Sequence, residues 1–436
     1  MKKNISGVKG MRDLLPISTK LWCVAEKKIK KIFRVYGYEE IRTPIVEHTS
    51  IFERGIGEVT DIVEKEMYTF TDNLNGDSLT LRPENTASIV RASIEHNLVY
   101  NGPKKLWYYG PMFRHERPQR GRYRQFYQFG LEALGYDGVE IEAEQLFLTD
   151  RLWKSLGFSK NLMPTLEINC IGSKDERELY KDKIKDYFLK FKSDLDDDSI
   201  RRLGTNPLRI LDSKNPKLKE LIENCPKLDV FLGQKSKKHN EQLCELLFEK
   251  NLNFKTNHCL VRGLDYYNLT VFEWKHNSLG AQSTICAGGR YDSLTGLIGG
   301  KDMAAFGLAI GMERIMEIIN ENDFLTANST LDLYIVHLGD TSLRKAIIFA
   351  EEVRNIGLSI KVDLTQSNIK TQMKRAGQSG AKFVAIFGDS ELELGCVTIR
   401  PLTNDHAQNK LNQKSIPLET VEDFMMSSIK NTENNL

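Results

Sequence analysis

The chain has 436 residues, 40% of them apolar and 28% charged, with a formal net charge of +2. These proportions describe a globular chain of two or three domains at ~150 residues each, and they exclude a disordered polyelectrolyte. The near-neutral balance also excludes a globally basic nucleic-acid binder, so any contact with nucleic acid must use local basic patches. The start, MKKNISGVKG, lacks the apolar core of a signal peptide. No run of ~18 apolar residues suits a membrane span. Seven cysteines lie between Cys23 and Cys396 without a CxxC pair, which points to a reducing cytoplasm rather than a disulfide or zinc framework.

Leu21, Ala25, Ile29, Ile32, Phe33 and Tyr36 fall on one helical face, which Gly37 can stop. An extended stretch over residues 39–43 follows and ends at Pro44. Alternating runs then recur at 78–81, 106–113, 125–131, 271–274 and 305–308, joined mostly by short polar loops. That pattern predicts an antiparallel sheet. Residues 169–255 are charged and read as a helical insertion, whose acidic run Asp194–Asp198 reads as a solvated face. Residues 322–330 read as a linker. Beyond it, runs at 331–338, 343–355, 358–362, 369–376 and 383–387 alternate strand and helix, predicting a small α/β domain with parallel strands. The tail from Asn431 is expected to be irregular. The predicted domains are 1–325, with the insertion at 169–255, and 331–429; the fold class is α+β with an α/β C-terminal domain.

Familiar nucleotide motifs are missing. Thr295 to Asp302, TGLIGGKD, fails the P-loop pattern at both ends, and no GxGxxG follows a strand. A nucleotide site would have to be built from arginines on a sheet. Between Phe113 and Glu132, Arg114, Arg117, Arg120, Arg122 and Arg124 place five guanidiniums within eleven residues. Pro118 and Gly121 predict a hairpin turn at their centre. So many like charges repel unless an anion is present, and guanidinium binds phosphate by charge-assisted, often bidentate hydrogen bonds. Phe126 is placed to stack on a base. In LRPENTA (81–87), Glu84 and Thr86 suit either an ammonium ligand or the first turn of a helix. FGLAIGMERI (306–315) runs from a small-residue strand into a helix carrying Arg314. AGGRYD (287–292) reads as a Gly-Gly turn. LVRGLDYY (260–267) combines Arg262, Asp265, Tyr266 and Tyr267; taken alone it suits a structural Arg–Asp pair as well as an anion site.

Taken together, these segments resemble the class II aminoacyl-tRNA synthetases and, within them, the histidyl-tRNA synthetase family. The helix and strand ending at Pro44, the FRHE hairpin and GLAIGMERI are similar to the three class-wide signatures. LVRGLDYY and AGGRYD are similar to the histidine-specific pair. The resemblance runs over nearly the whole chain, including a C-terminal module similar to an anticodon-binding domain. It implies ATP-dependent ligation of L-histidine to tRNA(His) by a cytoplasmic homodimer, with Mg2+ arriving on ATP and no protein-bound metal. It also implies residue roles. Glu84 and Thr86 hold the α-amino group, and Gln128 lies near the carboxylate. Glu132 and Tyr267 bond the imidazole, and Tyr266 lines the pocket. Arg114 and Arg262 act at the α-phosphate as the catalytic pair. Arg122 and Arg314 take the γ-phosphate end, Glu116 and Phe126 face the adenine, and Arg117 meets the tRNA acceptor end. Asn85 stands where the family usually has glycine. Asparagine tolerates positive φ, so the turn is expected to survive with its side chain bearing on the amino-group site. Asp265 is left with no role beyond orienting Arg262. The alternatives are a non-catalytic, synthetase-like regulatory subunit of a histidine-biosynthesis phosphoribosyltransferase, and an RNA-binding module on the same fold.

Overall fold

The computed structural model describes residues 5–57, 60–213, 215–323, 325, 331–402 and 412–433. The chain divides into two compact units, Met1–Thr326 and Ala327–Leu436. Among the described residues no helix is long and apolar enough to cross a membrane.

The first unit is built on an eight-stranded sheet. Its strands are β1 (Glu39–Glu40), β5 (Lys104–Phe113), β6 (Gln125–Leu134), β7 (Thr165–Cys170), β8 (Phe254–Thr256), β9 (Asn268–Lys275), β10 (Thr284–Arg290) and β11 (Ala305–Gly311), with β2 (Val46–His48), β3 (Tyr68–Thr71) and β4 (Ser78–Leu81) forming a separate small sheet. The large sheet runs β1-β5-β6-β11-β10-β9-β7-β8, and the small one β2-β4-β3. Only the two edge junctions, β1 with β5 and β7 with β8, are parallel. The strand expected over 39–43 is only two residues long, because it pairs with β5 through Glu39 and Glu40 alone.

One face of the sheet carries the helix Pro16–Val35, which buries Trp22, Ala25, Ile29, Ile32 and Phe33. Beside it lies the helix Glu140–Leu156, which periodicity did not predict. Its core-facing surface includes the buried polar residues Glu142, Gln145 and Thr149, and these break the apolar rhythm that marks an amphipathic helix. The AGGR run is a second departure: Ala287–Arg290 lie inside β10 rather than in a turn. A Cβ on Gly288 would collide with the Gly307 carbonyl oxygen, and one on Gly289 would lie 2.5 Å from the Thr270 carbonyl oxygen. The glycines serve close approach of neighbouring strands rather than chain reversal.

Between β7 and β8 the chain leaves the sheet and forms the helices Lys174–Leu189, Asp197–Gly204, Lys219–Glu223 and Gln234–Glu249. Apolar side chains of this insertion, Tyr180, Ile184, Phe188, Leu203 and Leu208, join one buried cluster with Val261, Tyr266 and Tyr267, while Leu243 and Leu247 of the last helix join the cluster that holds Trp22 and Phe33. The acidic run does more than face solvent. Asp196 caps the helix Asp197–Gly204 by accepting from the Ser199 N–H, and Asp198 pairs with Arg201 and Arg202.

The second unit holds a five-stranded sheet of β12 (Leu333–His337), β13 (Ile360–Val362), β14 (Phe383–Phe387), β15 (Cys396–Pro401) and β16 (Lys414–Pro417) in the order β13-β12-β14-β15-β16. The first three are parallel; β15 and β16 extend the sheet antiparallel. Leu333 and Ile335 face one apolar cluster, Tyr334 and Val336 the other, as strand alternation requires when both faces are covered. The helix Val421–Glu433 continues past the point where an irregular tail was expected, and residues 434–436 lie outside the described residues. Of the expected linker, Asn322 belongs to the helix Met312–Asn322, while 324 and 326–330 lie outside the described residues.

Candidate active site

Strand alternation decides which side chains reach the open face of the large sheet. On β6, Phe129, Leu131 and Ala133 enter the core on the helix-covered side. Phe126, Gln128, Gly130 and Glu132 therefore share the opposite face. On β11, Phe306 and Ile310 enter the core while Gly307, Ala309 and Gly311 border a cavity. Glycine and alanine there leave the volume in which the cavity opens.

Around that cavity stand Glu84, Thr86, Gln128, Tyr108, Tyr266, Tyr267 and Tyr291, together with Arg114, Glu116, Arg122, Phe126, Arg262 and Arg314. Glu132 is not on the wall. It is 1% exposed and lies one layer beneath, paired with Gly307 across the strands and accepting from the hydroxyls of Thr86 and Tyr291. Burial, opposed by those hydroxyls, pushes its carboxyl up to about 8. Glu84 serves the start of a helix and also stands at the cavity. Its carboxylate accepts from the N–H groups of Thr86 (2.7 Å) and Ala87 (3.0 Å), capping the helix Thr86–Glu95, and it still borders the cavity. Burial raises its pKa against those hydrogen bonds. Gln128 Oε1 is buried without a partner among the described residues, leaving an acceptor available to a ligand.

Arg262 lies over the Tyr267 ring, 5.8 Å from its centroid, and is paired with Glu273. Burial opposes its charge, but Glu273 together with Tyr267 and Tyr266 outweighs that and raises its pKa. Glu273 also accepts from the Thr284 hydroxyl (2.9 Å) and stands 3.4 Å from Lys275 Nζ. The expectation that Asp265 orients Arg262 is corrected. Asp265 turns toward the insertion and accepts from Asn206 Nδ2 at 2.9 Å, with Lys181, Arg209 and Arg177 as its charged neighbours. Glu273 was not recognised as a site residue because it sits eleven positions downstream, inside a strand that reads as ordinary sheet.

The arginine-rich hairpin is also corrected in part. Arg114 and Arg122 border the cavity, Arg114 lying over Phe126 and donating to the Pro83 carbonyl. Arg122 pairs with Glu116. Arg120 instead pairs with Glu317 and Glu321, Arg124 donates to the backbone at Glu116 and Lys9, and Arg117 is exposed. Carboxylates and carbonyls brought in by folding thus offset much of the repulsion that had been read as demand for an anion. Arg314 donates to the carbonyls of Gly121 and Thr284; burial, then Arg122 and Arg114, lowers its pKa.

Asn85 has φ −121°, so no left-handed conformation is needed there. Its Oδ1 accepts from Thr43 (2.8 Å) and Arg82 (3.1 Å), and it is not on the cavity wall. Its side chain therefore does not crowd the site.

The profile described as Histidyl-tRNA synthetase matches residues 10–174 and 178–315, and the one described as Anticodon binding domain matches 332–426. The histidine–tRNA ligase of Burkholderia cenocepacia (strain HI2424) is 52% identical over 432 residues, covering 98% of this chain and 96% of its own. The structure of apo S. aureus histidyl-tRNA synthetase superposes with a TM-score of 0.79 at 34% identity, covering 97% of this chain and 100% of that one. An ATP phosphoribosyltransferase regulatory subunit/histidyl-tRNA synthetase from Bacillus halodurans shares the fold, with a TM-score of 0.63 at 21% identity over 88% of this chain and 99% of its own. On the match over both units and the identity along nearly its full length, the chain belongs to the histidyl-tRNA synthetase family.

Proposed function

We propose that this protein joins L-histidine to tRNA(His) in two steps: ATP and histidine form histidyl-adenylate and pyrophosphate, then the acyl group passes to the tRNA with release of AMP. The observation that carries the reading is one cavity combining Glu84, Gln128 and a tyrosine wall with four guanidiniums, those of Arg114, Arg122, Arg262 and Arg314. Histidine fits the first group. Glu84 and Thr86 take its ammonium, Gln128 lies by its carboxylate, Tyr266 lines the pocket, and Tyr267 bonds the imidazole with Glu132 acting from beneath the floor. A site built for a ring that hydrogen-bonds leaves its own polar groups unpaired when an apolar amino acid enters, at about 1–3 kcal/mol each.

ATP fits the second group, its magnesium arriving as part of the nucleotide substrate. The histidine carboxylate oxygen attacks the α-phosphorus, and the bond to the pyrophosphate oxygen breaks. Charge gathers on the non-bridging α-phosphate oxygens, where Arg114 and Arg262 supply fixed positive charge. Arg122 and Arg314 hold the γ-phosphate end, with Glu116 and Phe126 at the adenine. The step needs in-line placement more than a nucleophilic side chain. A ribose hydroxyl at the tRNA 3′ end then attacks the acyl carbon, with exposed Arg117 meeting the acceptor end. Residues 1–325 serve as the catalytic domain with 169–255 as its insertion, and 331–429 read the anticodon. The cytoplasm as compartment and a homodimer paired through the Pro44 segment complete the proposal. The regulatory-subunit alternative is disfavoured by a chain that keeps both the site arginines and the C-terminal unit. ATP–pyrophosphate exchange measured with each of the twenty amino acids tests the reading: histidine alone is expected to support it, and exchange with none or with another amino acid would overturn it.

A further inference from the structure

The segment leading from the helix Thr49–Ile56 to β3 touches three separate parts of the first unit. At its start the Ile56 carbonyl accepts from the Asp265 N–H at 3.1 Å, which ties it to the LVRGLDYY segment. In its middle, Asp61 and Glu64 meet the insertion helix Asp197–Gly204. Arg201 donates to Asp61 Oδ1 and to Glu64 Oε2, each at 3.3 Å, and Arg202 Nη2 stands 3.8 Å from Asp61 Oδ2. At its end the Glu66 carbonyl accepts from the His115 N–H at 2.6 Å, and the Glu66 carboxylate stands 3.8 Å from Arg122. The Tyr68 and His115 rings meet edge-on at 5.4 Å. The π-helical turn Ile62–Glu66 carries the connection from the insertion to the hairpin.

The two arginines are aimed before the segment arrives. Asp198, one turn earlier, holds Arg201 at 2.7 Å and Arg202 at 2.9 Å, and Arg202 also donates to the Arg209 carbonyl at 3.0 Å. Neither arginine borders the candidate active-site cavity, and their ion pairs to Asp61 and Glu64 reach toward it through the segment.

We propose that Arg201 and Arg202 are positioning residues for adenylation: by clamping residues 60–66 to the insertion they hold Glu66, and through it the hairpin that presents Arg122 to ATP. The proposal rests on the reading of the cavity as the ATP and histidine site. A site whose competent form is only partly populated binds its ligand more weakly in proportion. Three partly exposed ion pairs acting together correspond to about a three- to tenfold shift in that population.

The test is histidine-dependent ATP–pyrophosphate exchange by the full-length protein carrying both Arg201→Ala and Arg202→Ala. The KM for ATP is expected to rise by about three- to tenfold while the KM for histidine stays within about twofold. The Arg201→Lys, Arg202→Lys variant keeps the charge and is expected to recover most of the ATP affinity, a rescue that also guards against misfolding of the alanine variant. A wild type without histidine-dependent exchange defeats the functional reading itself. A wild type that exchanges, beside a folded alanine variant with unchanged ATP KM, overturns the positioning role alone.

Discussion

Replacing Glu132 by glutamine keeps the size of the side chain and removes its titration. The carboxyl is 1% exposed, and burial carries its pKa from 4.5 to about 8 against the hydrogen bonds of Tyr291 and Thr86. A folded-state pKa above the unfolded value means stability that is fully present below pH ~4.5 and lost as pH rises through ~8. At ~1.36 kcal/mol per pH unit, the wild type has lost about 2 kcal/mol by pH 6 and about 5 kcal/mol by pH 9. Glutamine carries no such dependence. The stability difference between variant and wild type should therefore swing by about 3 kcal/mol toward the variant between those two pH values. Urea unfolding followed by tryptophan fluorescence measures it, because Trp22, Trp107, Trp153 and Trp274 all lie in the first unit. A pH-independent difference would refute the raised pKa of Glu132. In the same variant, kcat/KM for histidine in pyrophosphate exchange should fall by about ten- to hundredfold, the cost of one mismatched buried hydrogen-bonding group.

Arg262→Ala should lower kcat for exchange by about 10²- to 10³-fold, as loss of one preorganised charge at a developing oxyanion does; near-normal kcat would remove Arg262 from the α-phosphate. Asn85→Gly should lower stability by about 1–3 kcal/mol in denaturant titrations, because Thr43 and Arg82 lose a buried acceptor. Its KM for histidine should not change, and a shift beyond about threefold would contradict a side chain turned away from the cavity. Deleting residues 331–436 should weaken aminoacylation of tRNA far more than pyrophosphate exchange. Equal losses in the two assays would count against an anticodon-reading role.

The strands over 125–131 and 305–308, the helix through Trp22 and Phe33, and the alternation after residue 331 could be read from the chain because each obeys one local period and meets a uniformly apolar surface. The helix Glu140–Leu156 could not, since the buried Glu142 answers to Arg290 and His239 from distant segments. The same division holds at the site. Residue types, spacing and resemblance picked out Glu84, Arg114, Gln128, Arg262 and Tyr267, and all five border one cavity. What they could not supply was partnership: that Glu273 rather than Asp265 holds Arg262, that Arg120 and Arg124 are occupied elsewhere, and that Glu132 lies beneath the floor. Side-chain chemistry and local period are properties of short windows, and the amino-acid order alone determined them. Which carboxylate meets which guanidinium, and how much water is left around each, depends on segments that only the folded chain brings together, so the tertiary structure decided it.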